Sequence, residues 1–296
     1  MRAGDKWTGA NMNKILAVLG MAVLVSASFA QVTVFSNNVG GDFYSDPTPS
    51  NPGGTVAINS YIGPNGAQWF YNEMKDSAVI GINGTQARSG NGSVQLNSIG
   101  TATNPNSKAS ITYARSDLGA LGNVADLTHW GADLRTEATP LSNANFIMRL
   151  YVGDGSNAIN GGRQGFLVWD TQWNPGFSHP TITYGQWQTL DLMSIASSLW
   201  VRPTNSLITT LQPNLTGGEI QLSQALSILG GLNYKVFSAN AGWGTSNTPY
   251  EGYMDNYVLG FNGVGTTHNF EVVPEPATMS LLALAALRKR KKAAKK

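Results

Sequence analysis

Short stretches in which apolar and polar residues alternate, each closed by Gly, Asn or Pro, narrow most sharply what this chain can fold into. Ser93-Val94-Gln95-Leu96-Asn97-Ser98-Ile99 has the period of two of an extended strand and puts Val94 and Leu96 on one face. Gly90-Asn91-Gly92 just before it supplies the positive-φ backbone that a turn needs. Further strand candidates are 31–35, 110–114, 128–135, 145–152, 165–169, 187–192, 234–238 and 253–261. Such a series, spaced by turns, predicts an all-β fold: a two-layer antiparallel β-sandwich of the jelly-roll type. One short helix is expected where Leu222, Ala225, Leu226 and Leu229 follow i, i+3, i+4, i+7 spacing, with Gly230-Gly231 ending it. Residues 37–66 are rich in Gly, Pro, Asn and Ser without periodicity and read as an irregular surface segment.

Both ends read as addresses. Met12-Asn13-Lys14 opens an apolar run over 15–25, and Ser26-Ala27-Ser28-Phe29-Ala30 places small residues where a signal peptidase needs them, so cleavage is expected between Ala30 and Gln31. At the other end Pro274-Glu275-Pro276 precedes an apolar run over 277–287 and the cluster Arg288-Lys289-Arg290-Lys291-Lys292. These three ordered elements resemble the PEP-CTERM sorting signal. The resemblance implies an exported protein processed by an exosortase, with transient inner-membrane contact through the C-terminal segment. It also implies a final place on the cell envelope or in an exopolysaccharide matrix. At ~1.5 Å per residue the apolar run makes a helix of roughly 16 Å, about half the hydrocarbon core of a bilayer. The expected organisation is a signal peptide with an upstream extension over 1–30, a β-sandwich domain over 31–271 and the sorting segment over 272–296.

With those ends set aside, the charge changes sign. Residues 31–276 carry nine Lys/Arg against sixteen Asp/Glu, a net of −7, although the whole chain is formally +2. A basic footprint for nucleic acid or anionic lipid is therefore missing, and nucleic acid is not an expected partner. There is no cysteine, which excludes disulfides, thiolate metal sites and thiol nucleophiles and leaves stability to the core. No internal repeat of solenoid or propeller period is present.

Three segments also resemble strands of the jelly rolls in carbohydrate-binding modules and concanavalin-like proteins. They are Gly92-Ser93-Val94-Gln95-Leu96, Trp187-Gln188-Thr189-Leu190-Asp191-Leu192 and the closing Asp255-Asn256-Tyr257-Val258-Leu259-Gly260-Phe261. With Leu259 and Phe261 inward, the period of two sets Tyr257, Asp255 and Tyr253 on the same face. A carboxylate so placed needs a partner. The resemblance implies structural calcium at Asp255, with oxygens from Asp42 or Glu73; the alternative is an arginine partner or a turn cap.

Aromatic residues are the candidate sugar platforms. Trp173 and Trp243 lie in loop-like sequence, with Tyr250 nearby, and flat rings stack on the apolar faces of sugars. The alternative for a loop tryptophan is a lid over the core. Asp154 and Arg163 flank a polar loop that could present a charge pair to a sugar, or could simply close a solvated turn.

Catalytic signatures are sparse. His129, His179 and His268 are far apart, and no nucleophile elbow, phosphate loop or dinucleotide fingerprint is found. No strand carries two alternating acids, the arrangement that paired-carboxylate sandwich glycosidases use. The expectation is a non-enzymatic envelope or matrix protein with exopolysaccharide as candidate ligand. Two alternatives stay open: a polysaccharide hydrolase or lyase on the same fold, and a self-assembling biofilm scaffold.

Overall fold

A computed structural model describes residues 29–37, 39, 66–75, 78–98, 108–137, 146–156, 162–170, 182–243 and 250–274. Within them the chain is a β-sandwich of two packed sheets, as the alternation predicts. The seven-stranded sheet is built on β14 (Tyr250–Phe261). One edge of β14 pairs with β7 (Leu127–Thr136), which in turn carries β10 (Gln188–Asp191). Its other edge is shared: β4 (Ser93–Ser98) takes the first half and β15 (Val264–Glu271) the second. Beyond these lie β3 (Ala78–Asn83), against β4, and β1 (Phe29–Phe35), against β15. The β1–β15 pairing is parallel, an exception to the otherwise antiparallel plan.

The eight-stranded sheet runs β12 (Ile220–Gln221), β11 (Trp200–Pro203), β9 (Gln164–Asp170), β8 (Phe146–Gly153), β13 (Lys235–Trp243), β5 (Lys108–Arg115), β2 (Ala67–Lys75), with β6 (Gly122–Asn123) beside β13. Two α-helices are described. The ten-residue α2 (Leu222–Gly231) is the expected one, burying Leu222, Ala225 and Leu229, while the six-residue α1 (Ser206–Leu211) has no counterpart among the sequence expectations.

The core lies between the sheets and follows the period of two. Val94 and Leu96 of β4 are fully buried, as are Met148, Leu150 and Val152 of β8 and Leu167 and Trp169 of β9. Burying one such aliphatic side chain stabilises by roughly 1.5–3 kcal/mol, so a chain without disulfides can hold this fold. Trp69, in the aromatic run that opens β2, is also core. It contacts Tyr257, His268 and Phe270 edge-on at 5.1–5.4 Å between ring centroids.

The closing strand departs from the expected single inward face. Asn256 sits at φ 47°, and the β14–β7 register slips between Asp255 and Val258. This bulge inserts one residue, so Met254, Tyr257 and Leu259 enter the core while Tyr253 and Asp255 turn to the outer face. The bulge stands where β14 changes neighbour from β4 to β15, a fork that leaves backbone donors without strand partners. The Asp255 carboxylate takes them: Oδ1 accepts from Phe270 N (3.0 Å) and Asn256 N (2.7 Å), and Oδ2 from Ser89 N (3.0 Å).

Candidate active site

The outer face of the eight-stranded sheet carries the residues left over by the core pattern. In β8 these are Ile147, Arg149 and Tyr151, all buried. Register lines up a row across five strands, polar but for Val168: Thr112 of β5 faces Asn240 of β13, Asn240 faces Arg149, Arg149 faces Val168 of β9, and Val168 faces Arg202 of β11. Side-chain bonds follow the register. Asn240 Nδ2 donates to Thr112 Oγ1 (2.6 Å), and Arg149 Nε donates to Asn240 Oδ1 (2.8 Å). The Arg149 guanidinium also stands 5.3 Å from the centre of the Phe166 ring, a cation–π distance. Both partners hold the plane of the arginine, so its direction is set by the sheet.

Glu219 ends this row. Thr216 and Glu219 exchange backbone hydrogen bonds (2.8 and 3.0 Å) across Gly217 and Gly218, which lie at φ 60° and 89°. Two successive positive φ values are what a tight type I′ hairpin turn demands, and two glycines meet that demand without steric strain. The turn feeds Glu219 into β12, whose pairing of Ile220 with Val201 carries Glu219 alongside Arg202.

Glu219 as a residue is only 4% exposed, and its Oε2 has no hydrogen-bond partner. Burial pushes its pKa up to about 7; the nearby Asp170 carboxylate pushes the same way and the Arg202 guanidinium opposes both. Asp170 closes β9, one strand from Arg202, and Trp200 stands on the same face as Arg202. A carboxyl that keeps its proton near neutrality, next to a second carboxylate and an arginine, is the arrangement used for general acid catalysis. Three more buried oxygens on this face lack partners: Gln68 Oε1, Gln164 Oε1 and Ser238 Oγ.

The residues singled out from sequence are distributed differently. Asp154 and Arg163 do meet, but as the closure of the β8–β9 hairpin: Asp154 Oδ1 accepts from Arg163 N at 2.8 Å, and the ion pair is a loose 3.9 Å with Arg163 67% exposed. Trp243 and Tyr250 lie at the end of β13 and the start of β14, with side chains outside the described set; register places Trp243 between Phe146 and Ala109. Trp173, Asp42, Glu275 and Pro276 fall outside the described residues, as does the side chain of Glu73 in β2. Pro274 follows β15, and Ala30 and Gln31 lie within β1. Among the described residues no three His, Asp or Glu gather as a metal site, and both oxygens of Asp255 accept backbone N–H groups.

Asp170 and Glu219 come from different strands, so a search for two acids along one strand misses them. The readable signal is Gly217-Gly218, a hairpin turn delivering an acid straight into a strand.

No family model matches the chain, and no curated protein matches it. Among solved structures it is similar to a beta-1,2-glucanase from Parabacteroides distasonis, at 12% identity and a TM-score of 0.31 over 66% of this chain. The chain spans only 23% of that glucanase. It is also similar to a metagenome-derived glycoside hydrolase family 12 endoglucanase (11% identity, TM-score 0.33, 66% of this chain and 98% of the other). Endoglucanase cel12A from Rhodothermus marinus is a further neighbour (11%, 0.31, 64% and 91%). The expectation of a non-enzymatic chain is corrected by these neighbours, all of them glucanases. At such identities and TM-scores the chemistry of this chain rests on its own residues.

Proposed function

We propose that the chain is a polysaccharide hydrolase whose acid is Glu219 and whose second carboxylate is Asp170. The observation that carries this is the buried, unpartnered Glu219 with its pKa raised to about 7 beside Asp170. In the reaction Glu219 gives its proton to the glycosidic oxygen as the C1–O bond breaks. Asp170 takes a proton from the water that adds to C1, and the departing sugar leaves as an alcohol. Arg202 keeps Glu219 from holding its proton too tightly to give up. Arg149, fixed by Asn240 and Phe166, and the ring of Trp200 would orient the sugar chain. Hydrolysis outside the cytoplasm fits the signal peptide and PEP-CTERM tail, which on this reading hand the enzyme to an exosortase and then to the envelope or matrix, where exopolysaccharide is the substrate within reach.

The test is release of new reducing ends from a panel of β-glucans and bacterial exopolysaccharides by the purified chain. Glu219→Gln should lower kcat at least ~10³-fold with the fold unchanged by circular dichroism. The basic limb of the kcat/KM profile should fall above pH 7, as Glu219 loses its proton. Cleavage that persists at wild-type rate in Glu219→Gln, or no reducing ends from any member of the panel, rejects the assignment.

A further inference from the structure

We infer that the chain is cut between Ser28 and Phe29, two residues upstream of the expected cut, so that Phe29 is the first residue of the exported domain. Ser26 and Ser28 put small residues three and one positions before this bond, as Ser28 and Ala30 do for the bond after Ala30. A signal peptidase reads those small residues on a chain that has not yet folded, so the sequence leaves both bonds open to it. The folded domain distinguishes them by which N-terminus it is built around. Cleavage here is independent of the Glu219 chemistry.

Phe29 and Ala30 belong to β1, where they pair with Gly265 and Thr266 of β15. Phe29 ends a row across four strands of the seven-stranded sheet: His129 of β7 faces Gly260 of β14, Gly260 faces Gly265, and Gly265 faces Phe29. Three strand spacings, about 14 Å, separate the two outer positions. Their rings nevertheless meet edge-on, 4.9 Å between centroids, because each leans over the glycine beside it. A Cβ on Gly265 would come within 2.6 Å of the Phe29 ring, and one on Gly260 within 2.9 Å of His129 Nδ1, so glycine at both positions leaves the room for this closure. Glycine inside a strand weakens it unless a neighbouring ring covers the gap. Both glycines are buried, and Phe29, itself 49% exposed, covers Gly265 with its buried half. A chain starting at Gln31 loses the first two pairs of β1 and bares Gly265, so the glycine pair matches a domain that keeps Phe29.

The test expresses the full chain, residues 1–30 included, in a Gram-negative host and reads the exported product by intact mass and N-terminal sequencing. The product should begin Phe29-Ala30-Gln31. Ala30→Leu, which spoils only the bond after residue 30, should leave that N-terminus unchanged, whereas Ser28→Leu should abolish it. A product that begins at Gln31, or one that retains residues 1–28, overturns the assignment. A second measurement serves if the host does not export the chain. Of two chains purified from the cytoplasm, one starting at Phe29 should melt about 2–4 °C above one starting at Gln31, the shift that one aromatic contact supplies in a domain of this size. Equal melting temperatures overturn the assignment as well.

Discussion

On the outer face of the seven-stranded sheet the acids are occupied, and on the outer face of the eight-stranded sheet one is not. Asp255 takes three backbone amides at the fork of β14. Its cross-strand partner Asp133 is held by Arg88 (3.1 Å), by Asn256 Nδ2 (2.9 Å) and by the Thr189 hydroxyl. Glu271 accepts from Asn91 N (2.6 Å) and Asn269 Nδ2 (2.7 Å). Across the sandwich Glu219 is as buried as these, yet its Oε2 meets no donor. Burial costs both faces; only one uses hydrogen bonds to offset it. A carboxylate whose oxygens are filled by backbone amides is part of the scaffold, and one left short is available for chemistry.

The comparison breaks most visibly if the two acids are exchanged in a mutagenesis experiment. Glu219→Gln should remove at least ~10³-fold of activity while leaving the melting temperature unchanged or higher, since a buried carboxyl without a partner becomes neutral. Asp255→Ala should do the reverse. It strands three backbone N–H groups and should cost about 3 kcal/mol or more in denaturant unfolding, with turnover per folded molecule preserved. Asp255→Asn should cost less, because one of its two oxygens remains to accept. Loss of turnover in folded Asp255→Ala, or a large stability loss in Glu219→Gln, would show that the division between scaffold and site is drawn in the wrong place.

A smaller effect appears in the pH dependence of stability. Both pKa values are raised by burial, Asp255 from 3.8 to about 6 and Glu219 from 4.5 to about 7. The folded state then holds protons that the unfolded chain has released, so stability falls as pH climbs from about 4 to about 7. Each group contributes on the order of 2 kcal/mol to that fall. Glu219→Gln should flatten the upper part of the curve, near pH 5–7, and leave the decline near pH 4–6 from Asp255. A Glu219→Gln curve that superimposes on the wild type would mean Glu219 titrates normally.

Much of the sandwich was legible in the sequence, and the reasons differ by element. β4 and β8 announce themselves because their inward positions are Val94, Leu96, Met148, Leu150 and Val152, apolar without exception. β15 does not, because its inward positions include Thr266 and His268, which break the apolar alternation. The bulge at Asn256 was invisible because an inserted residue shifts the face of everything before it without altering composition; only the left-handed tolerance of asparagine hints at it. The paired carboxylates were hidden for a topological reason. β9 and β12 become close only through β11, a pairing that no local pattern encodes.

The smallest effect falls on the charge pair that the sequence suggests as a sugar contact. Arg163 is two-thirds exposed, and its guanidinium stands 3.9 Å from Asp154, so water screens most of the attraction. Arg163→Ala should change stability by no more than about 0.5 kcal/mol and activity not at all. Asp154→Ala should cost slightly more, up to about 1 kcal/mol, because Asp154 Oδ1 also accepts the backbone N–H of Arg163 and so shapes the turn. Urea denaturation and initial rates on the best polysaccharide of the panel measure both. If Arg163→Ala instead raised KM several-fold with kcat unchanged, the β8–β9 turn would be a sugar-binding edge, and the substrate would extend past Gln164 from the Glu219 row.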